Sequence, residues 1–235
     1  VYNGAKTNRN VGAFAGMTDV QGIDFYVAAC APHITQWGSG LPLRGPYDYL
    51  KNTRNNHMPL PTWMYAQGLA STWNQDGLLG GRIHVQPDPQ EILTQAFMVM
   101  AAGGKGLMWF MSNLDEADHA PHRWDAIVQS NRLFHAVRPW LRRGDLTGQA
   151  DAGPDALAEL IRAPGAAVVP LINLRTTAEV TDVSCAGAFL NEATVPHWVF
   201  YSHSVDVRLT LPADVGVLEV LEVTATGVAP VTYNT

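Results

Sequence analysis

The chain has few cysteines and no long apolar run. Its two cysteines, Cys30 and Cys185, stand far apart in 235 residues, which excludes a CxxC motif and a disulfide scaffold. One disulfide bridge in a secreted protein and two buried thiols are both compatible with this pair. No run of about eighteen apolar residues occurs, so a membrane-spanning helix is not expected.

Charged residues are also scarce, at 15% of the chain, and the net charge is −6. There is no basic stripe of the kind that a phosphate backbone requires, which argues against nucleic-acid partners. Phosphate-binding glycine loops, GxSxG and HExxH are absent, and no cofactor is expected. The opening residues VYNGAKTN lack Met and a signal peptide and resemble the end of a buried strand, which predicts that the natural amino terminus is missing.

Apolar residues make up 47% of the chain, and 21 glycines and 15 prolines accompany them, which indicates a sizeable core with many turns. Hydrophobic periodicity predicts alternating strands and helices in the first part of the chain. The predicted strands are 19–30, 60–67 and 105–110, and the predicted helices are 45–56, 88–104 and 123–141.

The helix over 88–104 has the clearest start and stop signals. Asp88 is suited to the N-cap, Pro89 to the first helical position, and Glu91 to the third position of a capping box. Two glycines end the helix at positions 103 and 104, where a left-handed turn is expected.

This order of elements predicts parallel βαβ units over about the first 145 residues. After that point the residue pattern changes. Residues 156–235 contain short apolar runs between Gly, Pro, Asn and Asp, which is typical of a small antiparallel β-sandwich. The predicted domains are therefore 1–148 and 149–235.

Three segments, PTWMYAQ (61–67), EILTQA (91–96) and GKGLMWF (104–110), carry a resemblance to a known architecture. Together with the predicted elements, they resemble the C-terminal half of a glycoside-hydrolase-type (β/α)8 barrel from the large retaining group that includes β-galactosidases. The β-rich tail resembles the accessory sandwich that often follows such barrels. The resemblance implies an α/β fold consisting of half a TIM barrel plus a β-sandwich, with a strand ending at Asn3 as the fifth of the barrel.

The resemblance also implies positions for the site. In that group the nucleophilic Glu ends the seventh strand, where this chain has Gln67, and the acid/base ends a fourth strand that this chain does not contain. Tyr26 matches a tyrosine that donates a hydrogen bond to the nucleophile, and Trp109 matches a tryptophan that forms the floor of the sugar subsite. The predicted sugar-binding residues are Asp24, Tyr26, Trp63, Gln67, Trp109 and Asn113.

Residue chemistry limits these roles and leaves alternatives open. An amide cannot act as nucleophile or general base, so Gln67 either binds sugar hydroxyls or satisfies backbone groups at the strand end. Asp24, expected on the same face as Tyr26, either contacts sugar or forms a structural salt bridge. Trp109, expected to point inward with Leu107, is either a subsite platform or ordinary core.

The loop NLDEADHAPH (113–122) holds the weak catalytic candidates Asp115 and Glu116. His119 and His122 with Asp118 could hold a divalent cation, but their spacing matches no standard template, and no metal is expected. Tryptophans 37 and 73 lie in predicted loops at the same rim and favour a carbohydrate-lined cleft.

Two functions follow from the sequence. The first is a glycoside-hydrolase-like protein that acts on or binds an extracellular carbohydrate, as a fragment whose N-terminal barrel half is missing. The second is a non-catalytic carbohydrate-binding or structural subunit of an extracellular assembly. The expected partners are a carbohydrate and either the missing barrel half or a second copy, and the expected location is extracellular or periplasmic.

Overall fold

A parallel three-stranded sheet organises the first part of the chain. A computed structural model describes residues 13, 16–25, 42–68, 87–110, 121–148, 150–178, 198–213, 215–217, 219–224 and 227–234. In it, β1 (Gln21–Phe25), β2 (Thr62–Gln67) and β3 (Gly106–Phe110) pair side by side in chain order. Both pairings are parallel, as the alternation of strands and helices predicts.

Three helices accompany this sheet in the described residues: α1 (Gly45–His57), α2 (Pro89–Ala101) and α3 (Pro121–Arg143). A short 3₁₀ turn, Pro42–Arg44, leads into α1. The predicted helices 45–56, 88–104 and 123–141 are therefore confirmed to within three residues at each end.

The start of α2 is fixed by the predicted capping box. Asp88 is the N-cap, and its backbone N–H donates to Oε2 of Glu91 over 2.8 Å. The other oxygen of that carboxylate, Oε1, accepts the backbone N–H of Trp198 over 3.0 Å. Gly103 then takes a positive φ of 76° just beyond the helix end, where glycine carries no steric penalty.

Helices α1 and α2 cover one face of the parallel sheet. Ile23, Phe25, Met64 and Ala66 are each 0% exposed and pack with buried side chains of both helices, including Leu50 of α1 and Val99 of α2. The alternation of apolar and other residues along β1 and β2 places these side chains on the helix side, so hydrophobic burial fixes which face the helices cover.

Phe25 sits unusually close to the beginning of α1. A β-carbon placed on Gly45 would lie 2.0 Å from Cζ of Phe25, well inside van der Waals contact. The aromatic ring therefore occupies space that only a residue without a side chain leaves open. This close approach joins the carboxyl end of β1 to the first turn of α1.

The rest of the chain is built from short strands in small antiparallel sheets. Their bounds are β4 (Asp145–Leu146), β5 (Ala150–Asp151), β6 (Ala156–Ala158), β7 (Ile161–Ala163), β8 (Ala166–Val168), β9 (Leu171–Asn173), β10 (Thr176–Ala178), β11 (Trp198–Phe200), β12 (Arg208–Leu209), β13 (Leu221–Thr224) and β14 (Gly227–Pro230). They form the sheets β4-β7-β8, β6-β9, β5-β12, β10-β11 and β13-β14 among the described residues.

This strand-rich part packs against the helices. Ile161 shares a hydrophobic cluster with Met100 of α2 and Leu133 of α3, and Leu157 and Ile172 belong to the same core cluster as Ile23. The predicted division into residues 1–148 and 149–235 stays a prediction.

The predicted fold class, half a TIM barrel followed by an antiparallel β-sandwich, is wrong. No closed barrel is present in the described residues, where the parallel strands form an open sheet of three. The later strands are two to four residues long and are distributed over separate small sheets, too short and too scattered to make two facing layers. The predicted strand ending at Asn3 lies outside the described residues.

Candidate functional site

The register of the parallel sheet sorts its side chains onto two faces. Ile23 pairs with Met64 and Met64 with Leu107, so these residues share the helix face. The opposite face, called here the aromatic face, carries Gly22, Asp24, Trp63, Tyr65, Gln67, Gly106, Met108 and Phe110. Three of the six predicted sugar-binding residues therefore lie on one surface.

Trp63 is placed by glycines on both of its neighbouring strands. Its register partners are Gly22 on β1 and Gly106 on β3. A β-carbon placed on Gly106 would lie 2.9 Å from Cε3 of the Trp63 ring, so the indole lies across the backbone of β3. Trp63 and Tyr65 are both half-buried, which leaves part of each ring accessible.

Gln67 ends β2 on the aromatic face but is only 1% exposed. Its backbone is held by another amide, that of Gln95 on α2. The Gln67 N–H donates to Oε1 of Gln95 over 2.9 Å, and Nε2 of Gln95 donates to the Gln67 carbonyl over 3.2 Å. The backbone N–H and carbonyl of Gln67 are thus satisfied by the side chain of Gln95, which is itself 0% exposed.

Sequence reasoning missed Gln95. The available signal was its place in EILTQA, four residues after Glu91 on the buried stripe of α2. A polar residue on the buried face of a helix needs a hydrogen-bond partner, and the end of the adjacent strand supplies both a donor and an acceptor.

Asp24 lies beside Tyr65 in the register and is 6% exposed. It therefore shares the aromatic face with Gln67, as expected, at a depth where a carboxylate requires compensating interactions. The other predicted residues at this end, namely Tyr26, Asn113, Asp115 and Glu116, lie outside the described residues. So do Cys30, Cys185, Trp37, Trp73, Asp118 and His119.

Trp109 does not lie on the aromatic face. It pairs with Ala66, while Gln67 pairs with Phe110, so Trp109 belongs to the helix face. There it packs against Ile92 and Ile127, and its Nε1 donates to Oδ1 of Asn131 on α3 over 3.1 Å. The expected orientation, with Trp109 inward and Met108 toward the helices, is wrong because a one-residue difference in register exchanges the two faces of a strand.

A second polar cluster, unforeseen from the sequence, joins α1 to Glu159, which lies between β6 and β7. The Tyr47 hydroxyl donates to Oε1 of Glu159, and Lys51 Nζ donates to that same carboxylate oxygen and, over 2.5 Å, to the Tyr47 oxygen. Tyr47 is 4% exposed and Glu159 is 6% exposed. Burial, followed by the Glu159 hydrogen bond and charge, raises the pKa of Tyr47 above its ordinary value.

This raised pKa makes stability sensitive to alkaline pH. The Tyr47 hydroxyl stays protonated in the folded chain at a pH where it ionises in the unfolded chain, so its contribution is complete below about pH 10 and is lost as the pH rises further. We expect Tyr47→Phe to lower the free energy of unfolding by about 1 kcal/mol at pH 7. We also expect it to flatten the fall in that free energy between about pH 10 and about pH 12. Urea unfolding of both proteins across this range measures the effect, and equal alkaline slopes would contradict it.

No group of three metal-ligating side chains occurs among the described residues, which include His122 but not residues 113–120 of the same loop. Within the same residues, no helix combines the length and the apolar character needed to cross a membrane. Neither a family model, a curated protein nor a solved structure matches this chain.

Proposed function

We propose that this chain binds a carbohydrate through the aromatic face of its parallel sheet. The observation that carries the proposal is the Trp63 indole lying across Gly106 with Tyr65 farther along the same face. Flat aromatic rings suit the C–H faces of sugar rings, and a tyrosine adds a hydroxyl at the edge. The resemblance to glycoside hydrolases supports an extracellular or periplasmic glycan as the ligand.

Binding without hydrolysis is the better-supported form of this function. Retaining hydrolysis needs two carboxyl groups about 5 Å apart, one of them a nucleophile. Gln67 supplies an amide in place of that nucleophile and is buried. The second candidate function is hydrolysis, and it is favoured by one observation, the Asp24 carboxyl near the strand end on the same face as Gln67.

A purely structural role for Trp63 makes a different prediction. Aromatic side chains often cover glycines on edge strands, and Gly106 lies on β3 at the edge of the three-stranded sheet. If that were its only role, removing the indole would lower stability and leave any sugar affinity unchanged. Binding and unfolding therefore have to be measured on the same variants.

We expect Trp63→Ala to weaken the binding of a neutral oligosaccharide by about tenfold, because the stacking surface is lost. Titration calorimetry with short β-linked oligosaccharides of galactose and of glucose measures this change. Trp63→Tyr, which keeps a ring, should restore part of the affinity.

Trp140→Ala is the matched control, since Trp140 is 38% exposed on α3 and does not belong to the aromatic face. Its affinity should equal that of the unmodified chain. Unchanged affinity of Trp63→Ala, or no oligosaccharide binding by the unmodified chain at millimolar concentration, would exclude the proposed function.

A further inference from the structure

A basic groove lies at the opposite end of β2 from Gln67. It has a volume of about 760 Å³ and is bounded by the Met58–Thr62 segment and the C-terminal half of α3. Five of the fifteen lysines and arginines of the chain line it, namely Arg54, Lys105, Arg138, Arg142 and Arg143. Among the residues that the structure describes, Asp145 is the one carboxylate in the lining. This concentration of positive charge contrasts with a net charge of −6 for the chain.

Two of these cations have structural partners. Arg54 is 8% exposed and forms an ion pair with Asp145, which neutralises that carboxylate. Lys105 Nζ donates to the carbonyl oxygens of Leu141, over 2.7 Å, and of Gly144, over 2.5 Å. Lys105 thereby satisfies carbonyls at the C-terminal end of α3, a task that basic residues in a last turn otherwise perform.

The other three cations, Arg138, Arg142 and Arg143, are exposed and have no ion-pair partner among the residues that the structure describes. His135, Arg138 and Arg142 follow one another at spacings of three and four residues, so they share one face of α3. Like charges at a spacing of four residues repel each other and destabilise a helix. The helix dipole favours Arg142 and Arg143 in the last turn, but it does not account for Arg138, which precedes that turn.

The geometry of this face suits an anion with more than one charged group. The β-carbons of residues four apart on a helix lie about 5–6 Å from each other, so two guanidinium groups can reach one ligand. Each guanidinium can donate two parallel hydrogen bonds to a phosphate, sulfate or carboxylate group. The facing wall is apolar, with Met58 52% exposed and Leu60 37% exposed, which suits an organic body beside the charged groups.

We propose that the basic groove binds a multivalent organic oxyanion, with Arg138 and Arg142 as its principal ligands. The site is separate from the aromatic face, and the inference does not depend on carbohydrate binding there. Two sources carry the required chemistry: a small phosphate ester, and a glycan that bears sulfate or carboxylate groups.

Titration calorimetry at low ionic strength, where charge interactions are least screened, tests the proposal with two probes. Pyrophosphate supplies the charged groups of the small phosphate ester without its organic body, and a heparin-derived tetrasaccharide represents the acidic glycan. We expect at least one probe to bind, and we expect Arg138→Gln and Arg142→Gln each to weaken that binding by about tenfold. Binding of pyrophosphate alone supports the first source, and binding of the tetrasaccharide alone supports the second.

Arg132→Gln is the matched control, because Arg132 is exposed on α3 and does not line the groove. It removes the same charge from the same helix and should leave affinity unchanged. Circular dichroism checks that all variants remain folded, which is expected at exposed positions. An equal loss of affinity in Arg132→Gln, unchanged affinity in the Arg138→Gln/Arg142→Gln double variant, or no binding of either probe by the unmodified chain would overturn the proposal.

Discussion

Replacing Gln67 by glutamate is expected to lower the free energy of unfolding by about 3 kcal/mol at pH 7 and to produce no glycosidase activity. The position is 1% exposed, so an introduced carboxyl group would lose its hydration. Loss of hydration disfavours the charged form and raises the pKa of the group in the folded chain. An increase of roughly two pKa units corresponds to the expected loss of stability.

The sign of the pH dependence follows from that raised pKa. Below about pH 4 the introduced group is protonated in both folded and unfolded chains, so the charge penalty is absent. As the pH rises, the unfolded chain ionises first, and stability falls until the pH passes the pKa in the folded state. The difference in unfolding free energy between Gln67→Glu and the unmodified chain should therefore grow from about pH 4 to about pH 7.

Urea unfolding across this pH range measures the stability change, and release of nitrophenol from aryl glycosides measures activity. Gln90→Glu is the matched control, since Gln90 is exposed in the first turn of α2, where a negative charge is tolerated. Its effect should stay within about 0.5 kcal/mol at every pH. Turnover by Gln67→Glu, or a stability loss that does not depend on pH, would contradict the expectation.

The second large effect is expected at Gly45, where alanine should destabilise the chain by about 2 kcal/mol. A glycine-to-alanine change in a helix usually stabilises by about 0.4–1 kcal/mol, because the unfolded chain loses freedom. Here the added β-carbon would lie 2.0 Å from Cζ of Phe25, a ring that is 0% exposed and cannot move without disturbing the core. The steric cost should exceed the gain and reverse the usual sign.

Gly216→Ala is the control for this prediction, because a β-carbon placed on Gly216 meets no atom within 4 Å. It should be neutral or slightly stabilising in thermal unfolding. A double-mutant cycle with Phe25→Leu isolates the contact, since shortening the ring should relieve most of the Gly45→Ala penalty. Additive effects of the two substitutions would show that the loss of stability has another origin.

Local patterns in the sequence predicted the elements that depend on local chemistry. The capping box of Asp88 and Glu91 and the apolar stripe of α2 are encoded within one segment, and the structure contains both. The strand alternation of β1 also placed Ile23 and Phe25 correctly against the helices. These features depend on periodicity and capping, which a single stretch of residues determines.

The errors concern contacts between distant segments. The orientation of Trp109 depends on how β3 is placed beside β2, and the pattern of β3 alone, GLMWF, is apolar on both faces. The Tyr47–Lys51–Glu159 cluster joins residues more than one hundred positions apart, so no spacing rule finds it. The small antiparallel sheets differ from a sandwich in how long the strands are and how they pair, which composition does not determine.

The hydrogen bonds of the two Glu91 oxygens affect how α2 and β11 unfold locally. One oxygen holds the first turn of α2 and the other holds the backbone of Trp198 in β11, so a single carboxylate serves two segments 107 residues apart. Fraying of that helix end and detachment of that strand both leave a fully buried charge without part of its hydrogen bonding. The two events are therefore coupled, and the amide protons of both segments should exchange with solvent as one cooperative unit.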